Sequence, residues 1–167
     1  MHWITRLLRH RLVDERDAAR LIPEAARARI EAAVAASERH HTGEIRVCIE
    51  AGLPWSYIRR DATPRERAVT LFGKLKVWDT EANNGVLIYV LLAEHAFEIV
   101  ADRGLHQRVE PARWDEIAGA MREAFRQGDF EAGLLRAVSA VDALLVEHFP
   151  RGAADDRNEL PDAPLML

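Results

Sequence analysis

Residues 83–105 read NNGVLIYVLLAEHAFEIVADRGL, and their pattern decides the fold class. Val86 to Leu92 is apolar on both faces, as a central strand covered above and below requires. Ala93, Glu94 and His95 leave room only for a short turn, so the next run, Phe97 to Ala101, returns as an antiparallel neighbour. Asn84 and Gly85, just ahead of the strand, read as turn chemistry, because both residue types tolerate positive φ.

Upstream, IRVCI at 45–49 alternates. Ile45, Val47 and Ile49 point to one well-buried face, Arg46 and Cys48 to the other. Leu53 to Asp61 reads as a loop. Thr63, Pro64 and Glu66 then open a helix through a capping box, continued by Leu71, Phe72 and Leu75. Strand, helix, strand predicts a right-handed crossover between two parallel strands.

Helical patterns flank this unit. Pro23 and Glu24 open one that runs to about Arg39, with Ile30, Ala33, Val34 and Ser37 inward. Pro111 opens another, carrying Trp114, Ile117, Ala118, Met121 and Phe125. Asp129 is placed to cap a last helix, whose stripe of Phe130, Leu134, Val138, Val141 and Leu145 suits packing across a sheet. The expected architecture is α/β: a three-layer α/β/α sandwich with a small mixed sheet flanked by helices. Residues 1–22 form an amphipathic helical segment, 23–150 the domain, and 151–167, rich in Pro, Asp and Ala, an extended or mobile tail.

A chain of 167 residues with 49% hydrophobic and 30% charged side chains has the balance of one globular domain. The net charge of −4 argues against a nucleic-acid partner, which calls for a basic surplus. Cys48 is the single cysteine, so no internal disulfide and no cysteine-rich zinc site is expected, and its apolar surroundings make it a small buried hydrophobe. The first residues show neither a long apolar core nor a small-residue cleavage site, and the longest apolar run, Val86 to Ala93, is far shorter than a membrane span. The expected location is the cytoplasm. Trp3, Ile4, Leu7, Leu8 and Leu12 beside Arg6, Arg9 and Arg11 give a helix that either packs on the domain or makes a weak membrane-surface contact through residues 1–12.

Recognised catalytic motifs are missing. Gly73–Lys74 lacks the glycines of a P-loop, and Leu75 stands where a metal-binding hydroxyl is needed. Three serines (Ser37, Ser56, Ser139) and no G-x-S-x-G make a serine hydrolase a poor reading. Pro54 stands six residues after Cys48, where a cysteine phosphatase needs arginine. His40 and His41 are adjacent, so they cannot share one zinc from a regular helix face; a helix-terminal contact with the dipole is expected.

The crossover makes one prediction about function. If the first two strands run parallel, Glu44 at the start of the first, Asn83 and Asn84 at the start of the second, and Asp102 and Arg103 at the end of the third meet at one edge of the sheet. Asp79 and Glu81 lie in the loop that feeds it. Glu44, Asp79, Glu81, Asn83, Asn84 and Asp102 offer the oxygens that calcium or magnesium prefers. Arg103 is a phosphate holder by chemistry, and Asp102 a general acid or base.

HTGEIRVCIE (41–50), NNGVLIYVLL (83–92), FEIVADRGL (97–105) and FRQGDFEAGLLRAV (125–138), in this order and spacing, resemble the TPM-domain family over roughly residues 25–148. That family is named partly for a plant thylakoid-lumen protein described as an acid phosphatase. The resemblance implies an α/β/α sandwich, a divalent-ion site in acidic loops, and links to phosphatase activity or to membrane-complex assembly. Many members carry a signal peptide and a transmembrane anchor. The chain departs from the family's G-x-G-L-E at the third strand's exit, where it has Ala101-Asp102-Arg103-Gly104-Leu105-His106. Three functions are thus expected to compete: a non-catalytic binding module with an unidentified protein partner, acting in assembly or maintenance of a complex; a metal-assisted hydrolase of phosphomonoesters, with the ion on Asp79, Glu81 and Asp102 and the phosphate on Arg103; and ion binding without turnover.

Overall fold

In a computed structural model, which describes residues 2–152 and 158–167, the sheet has the predicted core and one further strand. β1 (Ile45–Glu50) and β2 (Val86–Leu91) pair in parallel, Ile45 opposite Val86, and β3 (Ala96–Ala101) returns antiparallel to β2. A short 3₁₀ turn at Leu92–Glu94 joins β2 to β3, closed by His95 at φ 49°. The last residues supply β4 (Leu165–Met166), parallel to β1, giving the order β3-β2-β1-β4. Within 151–167, therefore, the end of the chain is a paired edge strand; residues 153–157 lie outside the described residues.

Helices cover both faces. The two N-terminal helices, α1 (His2–Leu12) and α2 (Glu15–Leu21), are separated by Val13 and Asp14, and Asp14 with Asp17 forms a capping box for α2. α3 (Glu24–Ser37), α7 (Pro111–Arg126) and α8 (Phe130–His148) pack with α2 on the face of Ile45, Val47, Ile49, Val86, Ile88 and Val90. α4 (Trp55–Arg59), α5 (Pro64–Lys74), Leu7 of α1 and Leu160 cover the other face, over Cys48, Leu87, Tyr89 and Leu91. α6 (Arg103–His106) is a single turn after β3.

Three local expectations are corrected. The stretch Leu53 to Asp61 contains α4, which starts behind Pro54. Asp129 precedes α8 but its side chain makes no capping bond; the Asp129 carbonyl accepts the Gly133 N–H instead (2.9 Å). Both faces of β1 are buried. Arg46 reaches the carbonyls of Pro161 (2.7 Å) and Ala163, and Glu50 takes three bonds from Arg67, two of them from Nε, and one from the Tyr89 hydroxyl (2.6 Å). Polar side chains inside a sandwich survive only with such partners. The Thr63–Glu66 capping box forms as expected.

α1 is docked through polar groups. Arg6 bonds Glu94 (2.6 Å), Asp61 (2.9 Å) and the Ala62 carbonyl (2.6 Å). His10 accepts the Leu53 N–H on Nδ1 (3.0 Å) and meets Glu94 through Nε2 (2.7 Å). Against the burial that would raise it, these bonds from His10 and Arg6 hold the Glu94 carboxyl below its ordinary range. No described helix is long and apolar enough to cross a membrane.

Candidate functional site

Parallel pairing of β1 and β2 brings the predicted residues to one rim. The Val86 N–H donates to the Glu44 carbonyl and the Asp102 N–H to the Gly85 carbonyl, each at 2.8 Å. Across the rim, the β3 end brings Asp102, the β2 start Asn84, the β1 start Glu44, and the β4 side residues 158–162. Adjacent strands are about 4.8 Å apart, so the rim is a row rather than a single point.

Two residues in the row carry buried oxygens without donors. Asn84 is fully buried. Its N–H donates to Thr80 Oγ1 (3.1 Å) and its Nδ2 to Thr42 Oγ1 (3.2 Å), while Oδ1 has no donor among the described residues. Asp102 caps α6 with Oδ1 on the Arg103 N–H (2.6 Å); its buried Oδ2 likewise lacks a donor among the described residues. Buried acceptors are nearly always satisfied in folded proteins, by protein, water or an ion.

The other predicted residues fall elsewhere in the row. Asp79, Glu81, Asn83 and Arg103 are exposed around the loop before β2 and the start of α6. Asn83, at φ 52°, is a left-handed residue of this loop, as is Lys76 at φ 56°. Gly85 is needed for close approach and not for a turn: an added Cβ would stand 1.9 Å from the Val77 carbonyl oxygen. Glu44 is buried and turned to the C-terminal segment, accepting the N–H groups of Glu159 (3.0 Å) and Leu160 (3.1 Å). Among the described residues no three His, Cys, Asp or Glu side chains gather as a metal cage.

Beside Glu44 lies a cleft lined by Glu38, His41, Arg151 and Asp162. Burial, reinforced by Glu44 and Asp162, pushes the Glu38 carboxyl up to about 8. The linkage has a definite sign. A proton retained in the fold but lost by the unfolded chain stabilises fully below the ordinary carboxylate range, and that gain is lost as pH rises to about 8. Glu38→Gln should therefore match the wild type in thermal midpoint at pH 4 and exceed it increasingly toward pH 8, in a melting series across this range.

Sequence reading missed the role of the histidine pair. His41 is fully buried, and its Nε2 lies 3.5 Å from Asp142 Oδ1 on α8, with His40 Nδ1 3.6 Å from the same oxygen. The pair faces a carboxylate rather than a helix end alone. Cys48 is buried as expected, and burial pushes its thiol up to about 12, which removes it as a nucleophile.

The TPM domain family model matches residues 16–144, most of the chain. The chain belongs to the TPM-domain family. Among solved structures, the NMR structure of the BA42 protein from the psychrophilic bacterium Bizionia argentinensis is similar at 30% identity and a TM-score of 0.76, over 87% of this chain and 94% of that one. Among curated proteins no sequence matches. In this TPM domain Asn84 Oδ1 and Asp102 Oδ2, both without donors among the described residues, flank the place where the Asn84–Gly85 loop meets the exit of β3.

Proposed function

We propose that this TPM domain is a non-catalytic binding module that takes a divalent cation at the β2–β3 rim and acts in assembly or maintenance of a protein or membrane-associated complex. The observation that carries the ion is the pair of donor-less oxygens, Asn84 Oδ1 and Asp102 Oδ2. Hard cations accept ligands of this kind, with exposed Asp79, Glu81 and Asn83 near enough in the chain to complete or approach the shell. Glu44 is left out of the ligand set, because both its oxygens hold the C-terminal segment. A single half-buried carboxylate beside one amide oxygen suits a weak site, with Kd of about 0.1–1 mM.

A binding role fits better than hydrolysis. Arg103 is exposed on a single helical turn, and turnover needs a phosphate holder fixed to within a fraction of an ångström. Asp102 already spends one oxygen on the α6 cap.

Thermal unfolding with calcium or magnesium chloride tests the ion. At about ten times Kd, a ligand bound only by the native state adds about 1.4 kcal/mol. The wild type should gain this and Asp102→Asn should lose most of the gain, since asparagine caps a helix as well as aspartate but lacks the charge. Equal response in both proteins, or none in the wild type, would remove the ion from the function. Magnesium-dependent cleavage of a chromogenic phosphomonoester, abolished in Asp102→Asn, would favour the hydrolase instead.

A further inference from the structure

α1 faces the domain with Arg6, Leu7 and His10. Arg6 and His10, four residues apart, anchor the inner face. Ile4, Leu8 and Leu12 repeat at the same spacing but are offset by two residues, about 200° around the helix. They form an outward stripe that is 45%, 56% and 76% exposed. Amphipathic helices of soluble domains normally bury this stripe and expose the charge. The docking is not a loose one: an added Cβ at Gly52 would meet the His10 carbonyl oxygen at 2.8 Å, so the helix backbone lies directly against the domain.

The rim of the stripe is cationic. Arg9 flanks it on one side and Arg11 on the other, both exposed, and residues 2–12 contain no acid. Asp14 and Asp17, which follow, are bonded within the α2 cap. Trp55, 52% exposed, stands at the cleft shared with Leu7 and Arg11 and extends the apolar area on that side. A protein of net charge −4 thus shows a local apolar stripe edged by arginine.

We propose that this outward face of α1 seats on an anionic membrane surface, with Ile4, Leu8 and Leu12 in the acyl boundary and Arg9 and Arg11 at the headgroups. An apolar stripe bordered by arginine in a helix free of acids is complementary to anionic lipid. A second copy suits it less, because two-fold pairing of this stripe sets like-charged rims together. Three aliphatic side chains make the contact weak and reversible. This inference is independent of the cation site at the other end of the sheet.

The test is co-sedimentation of the full chain with vesicles of phosphatidylcholine alone or of equal parts phosphatidylcholine and phosphatidylglycerol. Two arginines near the surface predict roughly tenfold or more tighter binding to the anionic vesicles, weakened by salt. Leu8→Glu with Leu12→Glu should abolish it, and Arg9→Glu with Arg11→Glu should reduce it to the neutral-vesicle level. Both pairs leave Arg6 and His10 in place, so circular dichroism and thermal midpoint should stay unchanged. No preference for anionic vesicles, or binding insensitive to the leucine pair, overturns the proposal. So does a concentration-dependent dimer that the leucine pair dissolves while vesicles bind nothing, which would assign the stripe to a second copy.

Discussion

Gly85→Ala is expected to lower the stability of the domain by about 3 kcal/mol or more, at the upper end of what overpacking costs. The new Cβ would sit 1.9 Å from the Val77 carbonyl oxygen and 3.0 Å from its carbon. Neither atom is the free end of a side chain. Val77 is fully buried and its N–H is bonded to the Phe72 carbonyl (3.0 Å). On the other side, the Gly85 carbonyl accepts the Asp102 N–H. Relief therefore has to come from moving the loop or the start of β2, and either shift displaces Asn84 and Asp102 together. The midpoint of urea unfolding should drop sharply in the variant. Gly119→Ala is the control: it lies within α7 with nothing near the added carbon, and should stabilise by about 0.5–1 kcal/mol through helix propensity. A Gly85→Ala protein as stable as the wild type would show that the loop yields and that the rim is not rigid.

Arg67→Met carries the second large effect, about 3–5 kcal/mol of destabilisation. Arg67 and Glu50 are both buried and joined by bonds of 2.5 and 2.9 Å, with the Tyr57 ring 5.0 Å below the guanidinium. Burial works against the Arg67 charge, yet the bonds to Glu50 hold it above its ordinary range. The Tyr89 hydroxyl, bonded to the same carboxylate, is pushed well up, by burial first and by Glu50 next. Removing the arginine leaves Glu50 as a buried charge with a single neutral donor, and that stranded charge is the cost. The double variant Glu50→Gln, Arg67→Met should be more stable than Arg67→Met alone, because the charge goes with its partner. Equilibrium denaturation of the three proteins checks this; a double variant at least as damaged as the single one would mean that packing, not charge, dominates.

The parts of the fold that were legible in the sequence are those specified by short-range pattern. Val86 to Leu92 could be only a covered strand, the 93–95 turn left only an antiparallel return, and Thr63 with Glu66 announced a helix start. The common rim followed from strand direction alone. What escaped was set by distant chain. The second buried face of β1 depends on Pro161 and Ala163 for Arg46 and on Arg67 for Glu50, partners with no local signature. β4 is two residues long and exists because β1 offers an edge. The same limit applies to the rim. The row was foreseen, but alternation along a strand does not say that Glu44 would turn to the backbone of 159–160 while Asn84 and Asp102 kept oxygens without donors. The Asn-Gly pair illustrates the ambiguity of turn signals: the positive φ belongs to Asn83, and Gly85 answers a steric demand from Val77.

The cation site at the β2–β3 rim is tested most directly by backbone amide shifts of the isotope-labelled full chain during titration with calcium and magnesium chloride. Saturable changes confined to the neighbourhood of Asn84 and Asp102, and missing in Asp102→Asn, are the predicted result. Spectra that do not respond, or that respond at the Glu38–Asp162 cleft while residues 83–85 and 102–104 stay still, would contradict it.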